Sequence, residues 1–354
     1  DSGDATQLVL AVNAHKHYLC GGETCTKVGN HSDMVFTFTA WTDEAAQMQY
    51  SDPNATAANC LPKTMDNWYL TGDVTLSAKW EPANGTVLCL NGYSITLDAK
   101  TTQEYGVIHV TGGFTLADCK GEQGEYGKIT HGTAADGSKY PGRGVAVYSG
   151  SFTMYGGNIT GNEVTDASMV YGSGVYAGHW GNDTRGTFTM YGGKISGNKA
   201  VQSGGGVGAS GDFIMYNGEI SDNEAGSGGG VCVNSGGVFT MKNGTISGNK
   251  ATTNSTYYGG GGVDILFGGT FTMEGGTISR NKYTGTQGSY TGGGGVHVQG
   301  DMGREKSDAS FIMKGGTISD NETNYTGGGV YVGEGTTFTM EGGTISNNKA
   351  IAIG

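Results

Sequence analysis

Only four prolines and four arginines occur in 354 residues, and no stretch spaces its apolar residues at a helical period. Scarce proline, with no three-residue glycine period, excludes a collagen-type triple helix. Lys and Arg are few and dispersed in a chain of formal net charge −12. Phosphate recognition needs them clustered, so nucleic acid is not an expected partner. No apolar run approaches the roughly 20 residues of a membrane-crossing helix, so no membrane span is expected. Neither a signal peptide nor an anchoring motif is visible. The chain is therefore expected to be a piece of a longer protein, monomeric by itself, with its export signals elsewhere.

What the sequence does have is glycine, 69 residues of it, with 36% hydrophobic and 10% aromatic residues, too apolar for a disordered chain. It also has a repeat. FTMEGGTIS stands unchanged at 271–279 and 338–346. Near-copies stand at 152–160 (FTMYGGNIT), 188–196 (FTMYGGKIS), 213–221 (FIMYNGEIS), 239–247 (FTMKNGTIS) and 311–319 (FIMKGGTIS). A G-V-x-V segment precedes each copy, as at Gly230–Val233, and an Asn follows each Ile-Ser/Thr. Phe, Met and Ile alternate with polar residues, the period-2 pattern of strands with one buried face, and Gly-Gly or Asn-Gly marks the turn between them.

Three short strands cannot bury their apolar face alone, but stacked coil on coil they form a parallel β-helix. Equivalent residues then fall into columns ~4.8 Å apart. Phe152 to Phe338, Met154 to Met340 and Ile159 to Ile345 are expected inside. Asn162, Asn198, Asn223, Asn249, Asn281, Asn321 and Asn348 are expected to form a structural ladder, in left-handed backbone, at the turn after the third strand. The pattern continues N-terminally through Leu88-Cys89-Leu90, Ile95, Phe114–Leu116 and Ile129, with Val74–Leu76 and Ile108–Val110 matching the first strand. The expected organisation is an N-terminal cap segment, 1–64, and an all-β, single-stranded parallel β-helix of about nine coils, 65–354.

GGVYV at 328–332 with FTMEGGTIS at 338–346, preceded far upstream by WEPANGTVLCLNGYSITL at 80–97, resembles repeats in large surface proteins of gut Firmicutes. The stack looks like a right-handed parallel β-helix of the pectate-lyase-like class. That resemblance implies a secreted or cell-surface bacterial protein. The class includes lyases, hydrolases, phage tailspikes and adhesins, so it implies a fold more than an activity. Its enzymes use clustered carboxylates holding calcium beside a basic residue, or two or three Asp as acid and base. No such cluster stands out here, and Arg143, Arg185, Arg280 and Arg304 are scattered.

Function is therefore sought where the repetition breaks. The position after each Met is expected to face solvent and reads Tyr155, Tyr191, Tyr216, Lys242, Glu274, Lys314, Glu341. The charged part reads as a cross-strand ladder. The three tyrosines either present faces and hydroxyls to sugar rings or simply support the column. Insertions after the ladder Asn carry Tyr171, Tyr257, Tyr258, Tyr283, Tyr290 and Tyr325 among Thr, Ser and Asn, the composition of adaptable binding surfaces. Trp180 sits in another insertion and reads as an exposed anchor. The centre of the G-V-x-V strand varies most. It places Asp264 beside His297 on adjacent coils, a surface acid/base pair read as silent, so no catalytic residue is assigned.

The segment HKHYLCGGETCTKVGNH holds the densest chemistry. His17, Cys20, Cys25 and His31 are compatible with a tetrahedral structural Zn2+ site, and a Cys20–Cys25 disulfide is the competing reading. Similar segments rich in His and Cys precede β-helices in the surface proteins that the repeat resembles, which implies a structural cap. The expected function is a non-enzymatic module that displays Tyr-rich loops to a glycan or host protein. The alternative is a polysaccharide lyase or glycoside hydrolase.

Overall fold

The computed structural model describes residues 15–19, 35–100, 105–121, 124, 126–168, 171–178, 185–253, 259–285, 292–299 and 309–351. The chain is a parallel β-helix whose equivalent strands pair in register to form long sheets. In the Phe–Met sheet the register aligns Phe152 with Phe188, Phe213, Phe239, Phe271, Phe311 and Phe338, and Met154 with its counterparts. The rings stack nearly parallel, with centroids 4.6 Å apart between Phe213 and Phe239 and 4.9 Å apart between Phe311 and Phe338. Each such contact adds about 0.5–1.5 kcal/mol beyond the area it buries. The Ile column, from Ile129 through Ile345, runs through a second sheet, and the G-V-x-V strands from Val145–Val147 to Val330–Val332 make a third.

A fourth sheet lies outside the expected three. Its strands are as short as two residues and follow the ladder Asn, as at Glu163–Val164, Lys282–Tyr283 and Lys349–Ala350. Two residues are too few for an alternation to show. Val74–Leu76 pairs with Ile95–Leu97 and so belongs to the Ile sheet, not to the G-V-x-V sheet expected from its pattern. The Phe–Met sheet also reaches further back than the repeat, because Phe36–Trp41 pairs in parallel with Asn67–Leu70. Among the described residues one helix, Asp43–Tyr50, interrupts the all-β pattern; Thr42 caps it by accepting from the Ala45 N–H. It lies beside the first coil, where the Trp41, Trp68 and Trp80 indoles donate to the Cys60, Thr64 and Pro62 carbonyls. These bonds let large apolar rings close the end of the core without stranding an N–H.

From Asn162 to Asn321 the asparagine ladder is buried, and each amide bonds the next. The Oδ1 of Asn249 accepts from both the backbone N–H and the Nδ2 of Asn223, each at 3.0 Å, and Asn249 Nδ2 donates to Asn281 Oδ1 and Ile220 O. The left-handed backbone expected at these Asn falls one residue earlier, at Gly161, Gly197, Asp222, Gly248, Arg280, Asp320 and Asn347. From Gly144 to Gly295, glycine opens each G-V-x-V strand where a Cβ would strike the next coil's carbonyl. At Gly230 it would lie 2.6 Å from the Gly262 carbonyl.

Candidate metal centre and exterior site residues

His15 and His17 stand two apart on the strand His15–His17, hence on one face. That strand pairs antiparallel with the start of Phe36–Trp41. The hairpin folds over the outside of the Phe–Met sheet: His15 stacks on Tyr69 at 4.1 Å and His17 on Phe38 at 4.3 Å. Leu19 packs with Cys89, Ala117 and Tyr155. Cys89 is an outward residue of Thr86–Cys89, paired with Ala117, and Cys119 lies two residues further along. The turn at Cys119 is held by buried Asp118, whose carboxylate accepts from the Gly92, Lys120 and Gly127 N–H groups.

The ligand atoms of His15, His17, Cys89 and Cys119 all lie within 4.8 Å of one another, so this group could hold a metal ion. Cys119 Sγ is 3.5 Å from His15 Nε2. Hydrogen bonding to Cys89 and then to His15 outweighs burial and holds the Cys119 thiol well below the ordinary range, whereas burial raises that of Cys89. Burial likewise lowers the pKa of His17. His17 Nδ1 donates to the Tyr18 carbonyl at 2.6 Å, and its buried Nε2 finds no partner among the described residues.

Of the expected ligands only His17 is in this group. Cys20, Cys25 and His31 lie outside the described residues, and with them the rest of the expected Zn2+ set and the competing Cys20–Cys25 disulfide. The local spacing of that segment carries no sign of the two coil cysteines. Their parity was the available signal, because Cys89 occupies the same outward column as Tyr155.

That column stacks Tyr155, Tyr191 and Tyr216 at 4.8 and 4.6 Å, nearly parallel. The faces expected to meet sugars therefore meet each other along the stack. Tyr155, expected on an exposed face, is buried beneath the hairpin, which with its tyrosine neighbour pushes its phenol up to about 12. Further on, Lys242 and Glu274 pair at 2.9 Å. Tyr283 is also a correction. It faces inward in the fourth sheet, level with Ala251, and donates to the Thr253 carbonyl. Tyr171 and Tyr325 are half-buried, and Tyr171 bridges to Ser203. Tyr257, Tyr258, Tyr290 and Trp180 lie outside the described residues.

Asp264 and His297 are neighbours, as expected, joined at 2.7 Å. They are not on the surface, however; both are fully buried. Glycine-rich backbone lies over the outer face of this sheet, and a Cβ on Gly259 would sit 2.9 Å from the His297 ring. The column order Cys232, Asp264, His297 puts the carboxylate rather than the imidazole in the middle, which is the wrong order for a nucleophilic triad. A second carboxylate–imidazole pair, Glu81 and His109 at 3.0 Å, is partly open to solvent beside Lys79 and Tyr105.

The site thus belongs to a parallel β-helix carrying a His/Cys group on its outer face. Comparison of the chain with protein-family models, curated proteins and solved structures gives no match. Among the described residues no helix is long and apolar enough to cross a membrane.

Proposed function

We propose that this chain is a non-enzymatic scaffold of a secreted or cell-surface bacterial protein, of the pectate-lyase-like β-helix type, that presents its outer face to a glycan or a protein partner. The observation that carries the reading is the exterior column in which Tyr191 and Tyr216 stack and run on to Lys242 and Glu274. Phenol hydroxyls repeated at one coil's rise, on a frame fixed by the asparagine ladder, suit a hydroxyl-bearing polymer lying along the stack. The metal at the N-terminal hairpin is proposed to be Zn2+ in a structural role.

A glycan array probed with the purified chain tests this. Binding that weakens at least tenfold in Tyr191→Ala/Tyr216→Ala supports it, and binding indifferent to both tyrosines sinks it. The second reading, a carbohydrate-active enzyme, is favoured by the Glu81–His109 pair, because a carboxylate-oriented imidazole is a general-base arrangement. Reducing ends released from pectin or mucin glycans, and abolished in His109→Ala, would establish that alternative instead.

A further inference from the structure

We propose that His15, His17, Cys89 and Cys119 are the four ligands of a single Zn2+ ion that clasps the N-terminal hairpin across two coils and thereby covers Tyr155. This rests on the structural Zn2+ reading and deepens it, assigning the ligands and what the ion controls.

The donor set points to the metal. Two thiolates and two imidazoles suit zinc, whereas calcium and magnesium take oxygen. Two thiolates also cancel the charge of a divalent ion, so the complex is neutral and tolerates burial. Zn–S and Zn–N bonds of about 2.3 and 2.0 Å place tetrahedral ligand atoms about 3.3–3.8 Å apart. The four atoms, all within 4.8 Å, need only a small contraction to reach that.

The tautomer is already set. With the His17 Nδ1 proton on the Tyr18 carbonyl, Nε2 carries a lone pair, and that is the buried atom that finds no partner among the described residues. Leaving such an atom unbonded is unfavourable, and a metal bond would remove that penalty. A carbonyl fixing the opposite ring nitrogen is the usual support of a metal-bound histidine. His15 is oriented separately, by stacking on Tyr69.

The origin of the ligands explains what the ion does. Two come from a three-residue strand at the edge of the sheet, and two from consecutive coils. Three residues of pairing hold a strand weakly, so metal binding and hairpin docking become one equilibrium. Leu19, carried on the same hairpin, packs with Tyr155 at the N-terminal end of the tyrosine stack. Losing the ion would lengthen the exposed stack by one ring.

The test uses the full chain. Elemental analysis after dialysis is expected to find about one zinc per chain in the parent and in Cys20→Ser/Cys25→Ser, and less than about a tenth in His15→Ala/His17→Ala. The reverse pattern, zinc kept without the two histidines or lost with Cys20 and Cys25, overturns the assignment. Cys119→Ser should lose the zinc as well, and because it touches the coils its folding is checked by circular dichroism. Co2+-loaded parent protein serves as a second readout and should show thiolate charge-transfer absorption, whose absence also overturns it. Chelation should speed amide exchange at 15–19 about tenfold or more while leaving 213–241 unchanged. Unchanged exchange at 15–19 would refute the clasp. None of these readouts involves a glycan, so a failed array leaves the zinc result standing.

Discussion

His131 Nδ1 lies 3.0 Å from the side-chain oxygen of Asn162, so an imidazole N–H starts the asparagine ladder. The ring is neutral there. Burial, with a smaller push from Lys139, lowers its pKa from 6.5 to about 4 against the raising effect of the Asn162 bond. The unfolded chain therefore binds the extra proton first as pH falls. This contribution to stability is complete above pH 6.5 and is lost as pH drops toward about 4, a total of about 3 kcal/mol. Urea midpoints measured across that window should fall more steeply for the parent than for His131→Gln. Equal slopes would discard the assignment.

Within the ladder, Asn249→Ala removes the acceptor of two Asn223 donors and the donor to Ile220 O. Stranded buried groups cost about 1–3 kcal/mol each, so a loss of roughly 3–5 kcal/mol is expected by urea unfolding. Asn348→Ala, where the ladder is only partly buried, should cost clearly less because water reaches the freed groups. A mid-ladder loss below about 1 kcal/mol would mean that the amide stack adds little.

Gly230→Ala tests the close approach of successive coils. Its Cβ would meet backbone at 2.6 Å as well as the Ile246 and Asn249 side chains, so the coils must part. A destabilisation of about 1–3 kcal/mol is expected. Gly72→Ala, with nothing within 4 Å, should be neutral or slightly stabilising by the same measurement.

For Asp264 and His297, removing one partner leaves the other buried with its polar group unmatched. Asp264→Ala is expected to cost about 3–5 kcal/mol, and Asp264→Ala/His297→Ala less than the sum of the single changes. Additive losses in a double-mutant cycle would show that the 2.7 Å contact contributes no coupling.

The columns were legible because Phe, Met and Ile recur at fixed offsets, and a period-2 strand leaves no choice of face once one residue is inside. Pairing of Asp264 with His297 followed from the same register. Their burial did not, since it depends on glycine backbone lying over them, which no alternation signals. Tyr283 was misjudged for a related reason: a two-residue strand gives no period from which to read inward from outward. The His/Cys group was half legible. Histidines two apart announce a shared face, but Cys89 and Cys119 come from coils some 70 to 100 residues away along the chain, and only folding the hairpin back over the sheet brings them together.

The in-register pairing has a mechanical consequence. Strands lie across the stack and their hydrogen bonds run along it, so tension applied between the two ends opens each sheet bond by bond instead of shearing it. Coils would then peel away singly, each releasing the slack of its own loop before the next is loaded. A chain built this way yields in small steps under a pull, and its freed coils can re-form only once the pull is relaxed.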